Sequence, residues 1–249
     1  MPRFARKLSS TKVYHIMIRG VNKQEIFKDD FDRKKFLQIV KYYKKKYNIN
    51  IYSYCLMLNH VHILIKDLDD KMCKFMKQTV GLYSQFYNKK NDRVGHLFQG
   101  RYKSEEVETK EYLLNVIRYI HKNPEKANFC KMQNYKWSSF KEYIFTEKII
   151  DKSDILKIFH KNYKNSIALF EHFSYQEDSN IYLDIDNSSR RTDTEIKNEI
   201  QLIIPVDNLV KLDKSTRNAA IKQIKKIEGI TNSQISRILG ISRETIRDI

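Results

Sequence analysis

What narrows the fold most is the alternation of two hydrophobic periods along residues 12–123. Residues 12–19 (KVYHIMIR), 49–58 and 60–66 (HVHILIK) are short, rich in β-branched and aromatic side chains, and bounded by turn residues such as Gly20 and Asn59. That pattern marks strands. Between them, residues 32–47 carry Phe36, Leu37, Val40 and Tyr43 on one side and many lysines on the other. Residues 71–88 gather Met72, Phe75, Met76, Val80, Leu82 and Tyr83 into a core side. Both read as amphipathic helices. A fourth strand over 102–108 runs into Thr109, a good N-cap, and a helix over 110–123 that Pro124 should stop. The order strand-helix-strand-strand-helix-strand-helix predicts an α+β, ferredoxin-like antiparallel sheet with helices on one face.

Residues 1–145 thus form a first domain. Residues 146–192 read as an extension, helical over 148–172 and then a polar linker over 174–191, and residues 193–249 as a small all-α unit. Its last part (TNSQISRILGISRETIRDI) has a short helix, Gly240 at a turn and Ser242 opening a second helix. This helix-turn-helix layout would offer Arg243, Thr245 and Arg247 to a DNA groove.

Charge indicates the partner. The chain has 249 residues, 47 of them Lys or Arg against 30 Asp or Glu, a formal net charge of +17. Residues 1–145 hold a net +16 of this, residues 146–189 a net −3 and residues 190–249 a net +4. Such an excess favours a polyanion, nucleic acid or an anionic membrane surface. No apolar stretch approaches the ~20 residues that span a bilayer, and the basic start has no apolar run after it. Nucleic acid is the expected partner, with no membrane. Cys55, Cys73 and Cys130 are odd in number and fit neither a metal nor a disulfide spacing, as in a reducing cytoplasm.

Two short segments carry potential chemistry. On a strand, residues two apart share a face, so His60 and His62 point together while Val61 and Ile63 point the other way. Paired imidazoles are common transition-metal ligands, although for a pair alone packing is the better explanation. In the helix over 110–123, Tyr119 and Asn123 are four apart and share a face. Asn123 offers a carbonyl oxygen suited to Mg²⁺ or Mn²⁺, and Tyr119 a phenol one turn away. Without the histidines, the better reading of these two is a rim tyrosine and a helix end. His15 could face the same site or be a satisfied sheet histidine, and His121 reads as a packing or surface residue.

Together, the segments Asn59-His60-Val61-His62, Phe98-Gln99-Gly100-Arg101-Tyr102-Lys103-Ser104, Arg118-Tyr119-Ile120-His121-Lys122-Asn123-Pro124 and Trp137-Ser138-Ser139-Phe140 resemble, in order and spacing, the single-tyrosine transposases of the HUH endonuclease superfamily. The likeness is greatest to REP-associated tyrosine transposases, and it covers residues 14–143, less clearly reaching 172. The resemblance implies that His60, His62 and Asn123 hold a divalent ion, Mg²⁺ or Mn²⁺, that Tyr119 is the nucleophile, and that Arg101 and Lys103 belong to a basic DNA-binding strand. It also implies a metal-dependent single-stranded DNA endonuclease and strand transferase, acting on hairpin or repeat DNA through a 5′-phosphotyrosine. It would work in the bacterial cytoplasm, associated with the nucleoid, as a monomer or a homodimer.

Three alternatives remain open at this point. An RRM-like RNA-binding domain shares the fold but has no use for paired histidines on its third strand. A catalytically idle DNA-binding regulator would rely on the C-terminal helices. A metallohydrolase with a water nucleophile would leave no covalent protein–DNA adduct.

Overall fold

The structure, a computed structural model, describes residues 7–177, 182–183, 196–197, 199–201, 213–225, 227, 230 and 232–248. It divides into two compact units, Met1–Asp184 and Ile185–Ile249.

In the first unit β1 (Val13–Arg19), α1 (Asp30–Lys46), β2 (Ile49–Leu56), β3 (His60–Asp67), α2 (Met72–Lys90), β4 (Lys103–Glu106) and α3 (Lys110–Lys126) follow in the expected order. The strands form one antiparallel sheet in the order β2-β3-β1-β4. β1 lies between β3 and β4, so the strands interleave as in a ferredoxin-like α+β fold. Cross-strand partners share a face. One face therefore carries Ile16, Ile18, Val61 and Ile63, and the other carries His15, Arg19, His60, His62, Lys103 and Glu105.

α1 and α2 cover the apolar face. They pack together through Phe36 and Tyr83, whose rings meet edge to face at 5.1 Å, and Ile18 lines a cavity with Met76 and Val80 of α2. The one-face arrangement expected from sequence holds for these two helices. α3 lies on the opposite face, where Tyr119 touches the rings of His15 and His62. Leu82, expected on the core side of α2, is exposed, because the buried line runs through Met76, Thr79 and Tyr83 instead.

α3 starts at the Thr109 cap, whose hydroxyl accepts from Tyr112 N at 3.1 Å. It does not stop at Pro124 but continues to Lys126. Proline costs the helix one N–H, yet the next turn closes through Ala127 N to Asn123 O at 3.0 Å and Phe129 N to Pro124 O at 2.9 Å. Residues 137–139 run along the outer edge of β2, with Leu56 N bonded to Trp137 O at 2.9 Å and Ser139 N to Tyr54 O at 3.0 Å. They satisfy an edge that would otherwise be open to pairing.

Beyond them lie α4 (Phe140–Ile144), α5 (Ser153–Phe159) and α6 (Tyr163–Tyr175), all within the first unit. Phe170 of α6 stacks on Tyr143 at 4.0 Å and meets the edge of His121, which closes the far side of α3. Most of the expected linker over 174–191 falls outside the described residues.

The second unit contains α7 (Lys214–Ile224), α8 (Asn232–Leu239) and α9 (Arg243–Arg247) around a small isoleucine-rich core that includes Ile221, Ile235 and Ile246. Gly240 ends α8 in the left-handed conformation, φ 69°, which glycine adopts without strain, and Ser242 caps α9 by accepting from Thr245 N at 3.2 Å. Among the described residues no helix is long and apolar enough to cross a membrane.

Candidate active site

The site forms where β3 passes beneath α3. The β2–β3 hairpin turn closes with Met57 N bonded to His60 O at 2.9 Å. The chain after β1 pins it from outside, with Gly20 N bonded to Asn59 O at 2.9 Å and Ile26 N to Leu58 O at 2.9 Å. A Cβ on Gly20 would stand 2.3 Å from Gln24 O, so only glycine permits this close approach.

β3 then projects His60 and His62 from one face, their rings 5.1 Å apart and nearly perpendicular. Asn59 Nδ2 donates to Lys23 O at 3.1 Å, which orients the amide so that Oδ1 faces His60 Nδ1 at 2.7 Å. His60 Nδ1 therefore carries the proton and Nε2 the lone pair. His62 Nδ1 lies 3.0 Å from His15 Nε2. The outer nitrogen of His15, Nδ1, stands 3.6 Å from Glu105 Oε2, which is beyond a normal hydrogen bond but within strong charge attraction. His62 Nε2 is buried and meets no hydrogen-bond partner among the described residues. Burial, reinforced by His15, His60 and Lys126, holds the His62 pKa well below the ordinary histidine value, so the ring is neutral. Partial burial pulls Glu105 upward, but bonding from His15, Tyr112 and Leu183 N–H outweighs it and keeps the carboxylate below its usual range.

α3 brings in the phenol. The Tyr119 ring meets His62 edge-on at 5.6 Å and His15 at 5.9 Å. One turn on, buried Asn123 donates through Nδ2 to Tyr119 O at 2.9 Å, so Oδ1 is not used in that bond. The opposite side of the Tyr119 ring is covered by Tyr182, stacked at 4.5 Å, and by Lys126, whose ammonium lies 4.4 Å from the ring centre. Among the described residues no group of three or more His, Cys, Asp or Glu could hold a metal ion.

Of the residues picked out from sequence, His60, His62 and Tyr119 come together, and Asn123 is attached to them through Tyr119. Lys103 opens β4 on the same face, across from Met17, and Arg101 precedes it in an exposed bend. In the second unit Thr245 and Arg247 are exposed on α9, and the Arg243 side chain lies outside what is described. His121 is buried among Phe140, Tyr143 and Phe170 on the other side of α3, where burial lowers its pKa to about 3. It takes no part in the site. Sequence reasoning missed Arg19 (cross-strand from His60), Glu105 and Tyr182, and left His15 undecided. Period-two spacing with the strand register could have found Arg19 and Glu105. No local signal marks Tyr182.

The family described as "Transposase IS200 like" matches residues 9–123. No curated protein matches the chain. Among solved structures, a REP-associated tyrosine transposase bound to a REP hairpin is similar at 12% identity and a TM-score of 0.50, over 61% of this chain and 96% of that one. A candidate transposase from Deinococcus radiodurans R1 is similar at 14% identity and a TM-score of 0.35, over 48% of this chain and 95% of that one.

Proposed function

We propose that this chain, whose residues 9–123 match the family described as "Transposase IS200 like", is an enzyme of the transposase type, a single-stranded DNA endonuclease and strand transferase with Tyr119 as nucleophile. One observation carries the reading: the Tyr119 ring lies edge-on against His62 within a buried cluster that also holds His60 and His15.

The residues present fit a divalent cation, Mg²⁺ or Mn²⁺. Asn59 engages Nδ1 of His60 and His15 engages Nδ1 of His62, so both rings offer Nε2, and Asn123 offers Oδ1. The buried, partnerless Nε2 of His62 is the observation that most favours a ligand there. When bound, such an ion supplies Lewis-acid polarisation of the scissile phosphate.

The phenol oxygen of Tyr119 attacks phosphorus and gives up its proton as the new O–P bond forms. The P–O3′ bond breaks, and the departing oxygen takes up a proton to become a 3′-hydroxyl. The phosphotyrosine retains the phosphodiester bond energy, so a second 3′-hydroxyl reverses the step and joins a new strand without ATP. Packing against His62 and His15 fixes the ring, which limits the freedom lost on reaching the in-line geometry.

The hairpin-bound relative and the net +16 of residues 1–145 support hairpin or repeat DNA as substrate. Arg101 and Lys103 would contact its phosphates beside the site. Arg243, Thr245 and Arg247 would supply a further DNA contact from the second unit. The test is incubation with single-stranded DNA hairpins and Mn²⁺, read on denaturing gels. A covalent protein–DNA adduct is expected. Cleavage without an adduct would instead establish a water nucleophile.

A further inference from the structure

Beneath the ligand pair lies a second layer that the proposed reaction does not use directly. Glu105 on β4, His15 on β1 and His62 on β3 occupy adjacent strands of the same face and form a line across the sheet. Glu105 Oε2 faces His15 Nδ1 at 3.6 Å, and His15 Nε2 faces His62 Nδ1 at 3.0 Å. Both imidazoles are fully buried, so neither proton arrangement is averaged by water.

An ionised carboxylate can only accept, so its charge favours a proton on the nearer nitrogen of His15, Nδ1. His15 Nε2 is then a lone pair, and the bond of 3.0 Å requires the proton from His62 Nδ1. With Nδ1 protonated, His62 presents a lone pair at Nε2, the atom that has no partner among the described residues. Reversing the chain would put a proton on Nε2 and close it to a cation.

We propose that Glu105 and His15 are positioning residues that hold His62 in the Nδ1–H tautomer and thereby keep Nε2 open as a ligand. The assignment rests on the metal reading of the site for its purpose, although its tautomeric content stands without any metal. Outer partners of this kind matter in general, since removing one costs about 10–100-fold in metal affinity. Exchanging a carboxylate that orients a histidine for an amide likewise permits the wrong tautomer.

The experiment uses the full chain. Imidazole nitrogen–proton correlation spectra of the metal-free protein should show His15 and His62 both protonated at Nδ1. Glu105→Gln keeps the shape, removes the charge and adds an N–H donor, so the reverse chain becomes available. Its His62 should gain a population protonated at Nε2, and Mn²⁺ affinity measured by calorimetry should fall about 10–100-fold. A wild-type His62 protonated at Nε2, or a Glu105→Gln variant with unchanged tautomers and Mn²⁺ affinity, overturns the proposal. If wild type binds no Mn²⁺ while His62 is protonated at Nδ1 and shifts in Glu105→Gln, the metal reading fails and the positioning assignment holds.

Discussion

The two faces of the sheet are made by the same strands and are buried alike along the middle of β1 and β3, yet they hold opposite chemistry. Ile16 and Val61 face α1 and α2 and are 0% exposed; His15 and His62 face α3 and are also 0% exposed. On the first face the strand side chains Ile16, Ile18, Val61 and Ile63 carry no polar atom, and burial and dispersion hold them. On the second, each buried imidazole needs a partner, because a polar group out of water without one costs on the order of 1–3 kcal/mol. His15 and His62 partner each other, Asn59 partners His60, and one nitrogen of His62 is left over. Burial alone therefore does not separate core from site. Polar groups gathered on one face, with an acceptor to spare, do.

The sharpest way to break that contrast is Tyr119→Phe. Phenylalanine keeps the ring against His62 and His15 and removes only the hydroxyl. DNA binding should persist while adduct formation falls at least about a thousandfold, as when a covalent nucleophile is deleted. Equal adduct yields from variant and wild type would show that the phenol is not the attacking group. His60→Ala should also stop cleavage, but through a lost ligand, so raising Mn²⁺ should restore part of its activity. No Mn²⁺ concentration should restore Tyr119→Phe. A titration of both variants on one hairpin substrate separates the two roles.

The opposite face should answer in a different quantity. Ile63 neighbours His62 in sequence but points toward α1 and α2, away from Tyr119. Ile63→Ala should lower stability to denaturant by about 2–5 kcal/mol, the range for truncating a buried isoleucine. The protein that remains folded should keep its Mn²⁺ affinity and its adduct yield per molecule. If Ile63→Ala lost metal affinity as severely as His60→Ala, the two faces would not be independent.

This division was partly legible in the sequence. The alternation of KVYHIMIR and HVHILIK showed two faces on each strand, and the paired histidines taken together with Tyr119 and Asn123 marked the face proposed to carry function. The succession of elements along the chain, and with it the ferredoxin-like class, was legible too. The position of α3 was not, because its apolar stripe says that it packs on a sheet but not on which side. His15 was visible but could not be assigned until the register placed His62 diagonally beside it, a pairing between distant parts of the chain. Glu105 sat in a polar strand whose inward side was readable only with the same register. Tyr182 falls in a stretch whose composition reads as linker, and only the folded chain stacks it on Tyr119. Pro124 misled because its effect depends on what closes the next turn.

The smallest expected effect lies at the rim, where the two faces meet solvent along β4. Lys103 opens that strand on the site face, opposite Met17, and its neighbour Ser104 points to the other side, opposite Ile16. Lys103 is exposed, so truncating it should leave stability within about 0.5 kcal/mol of wild type. If it contacts one phosphate, Lys103→Ala should weaken hairpin binding uniformly across sequences. It should also reduce the slope of log affinity against log salt by about 0.7, the share of one phosphate on a single strand. Ser104→Ala should change neither quantity. Measuring binding from low to high salt is essential, because a single affinity at one ionic strength would not distinguish a lost phosphate contact from a small shift in the site. An unchanged slope in Lys103→Ala would move the DNA path off β4 and toward the neighbouring strand, where Arg19 stands across from His60.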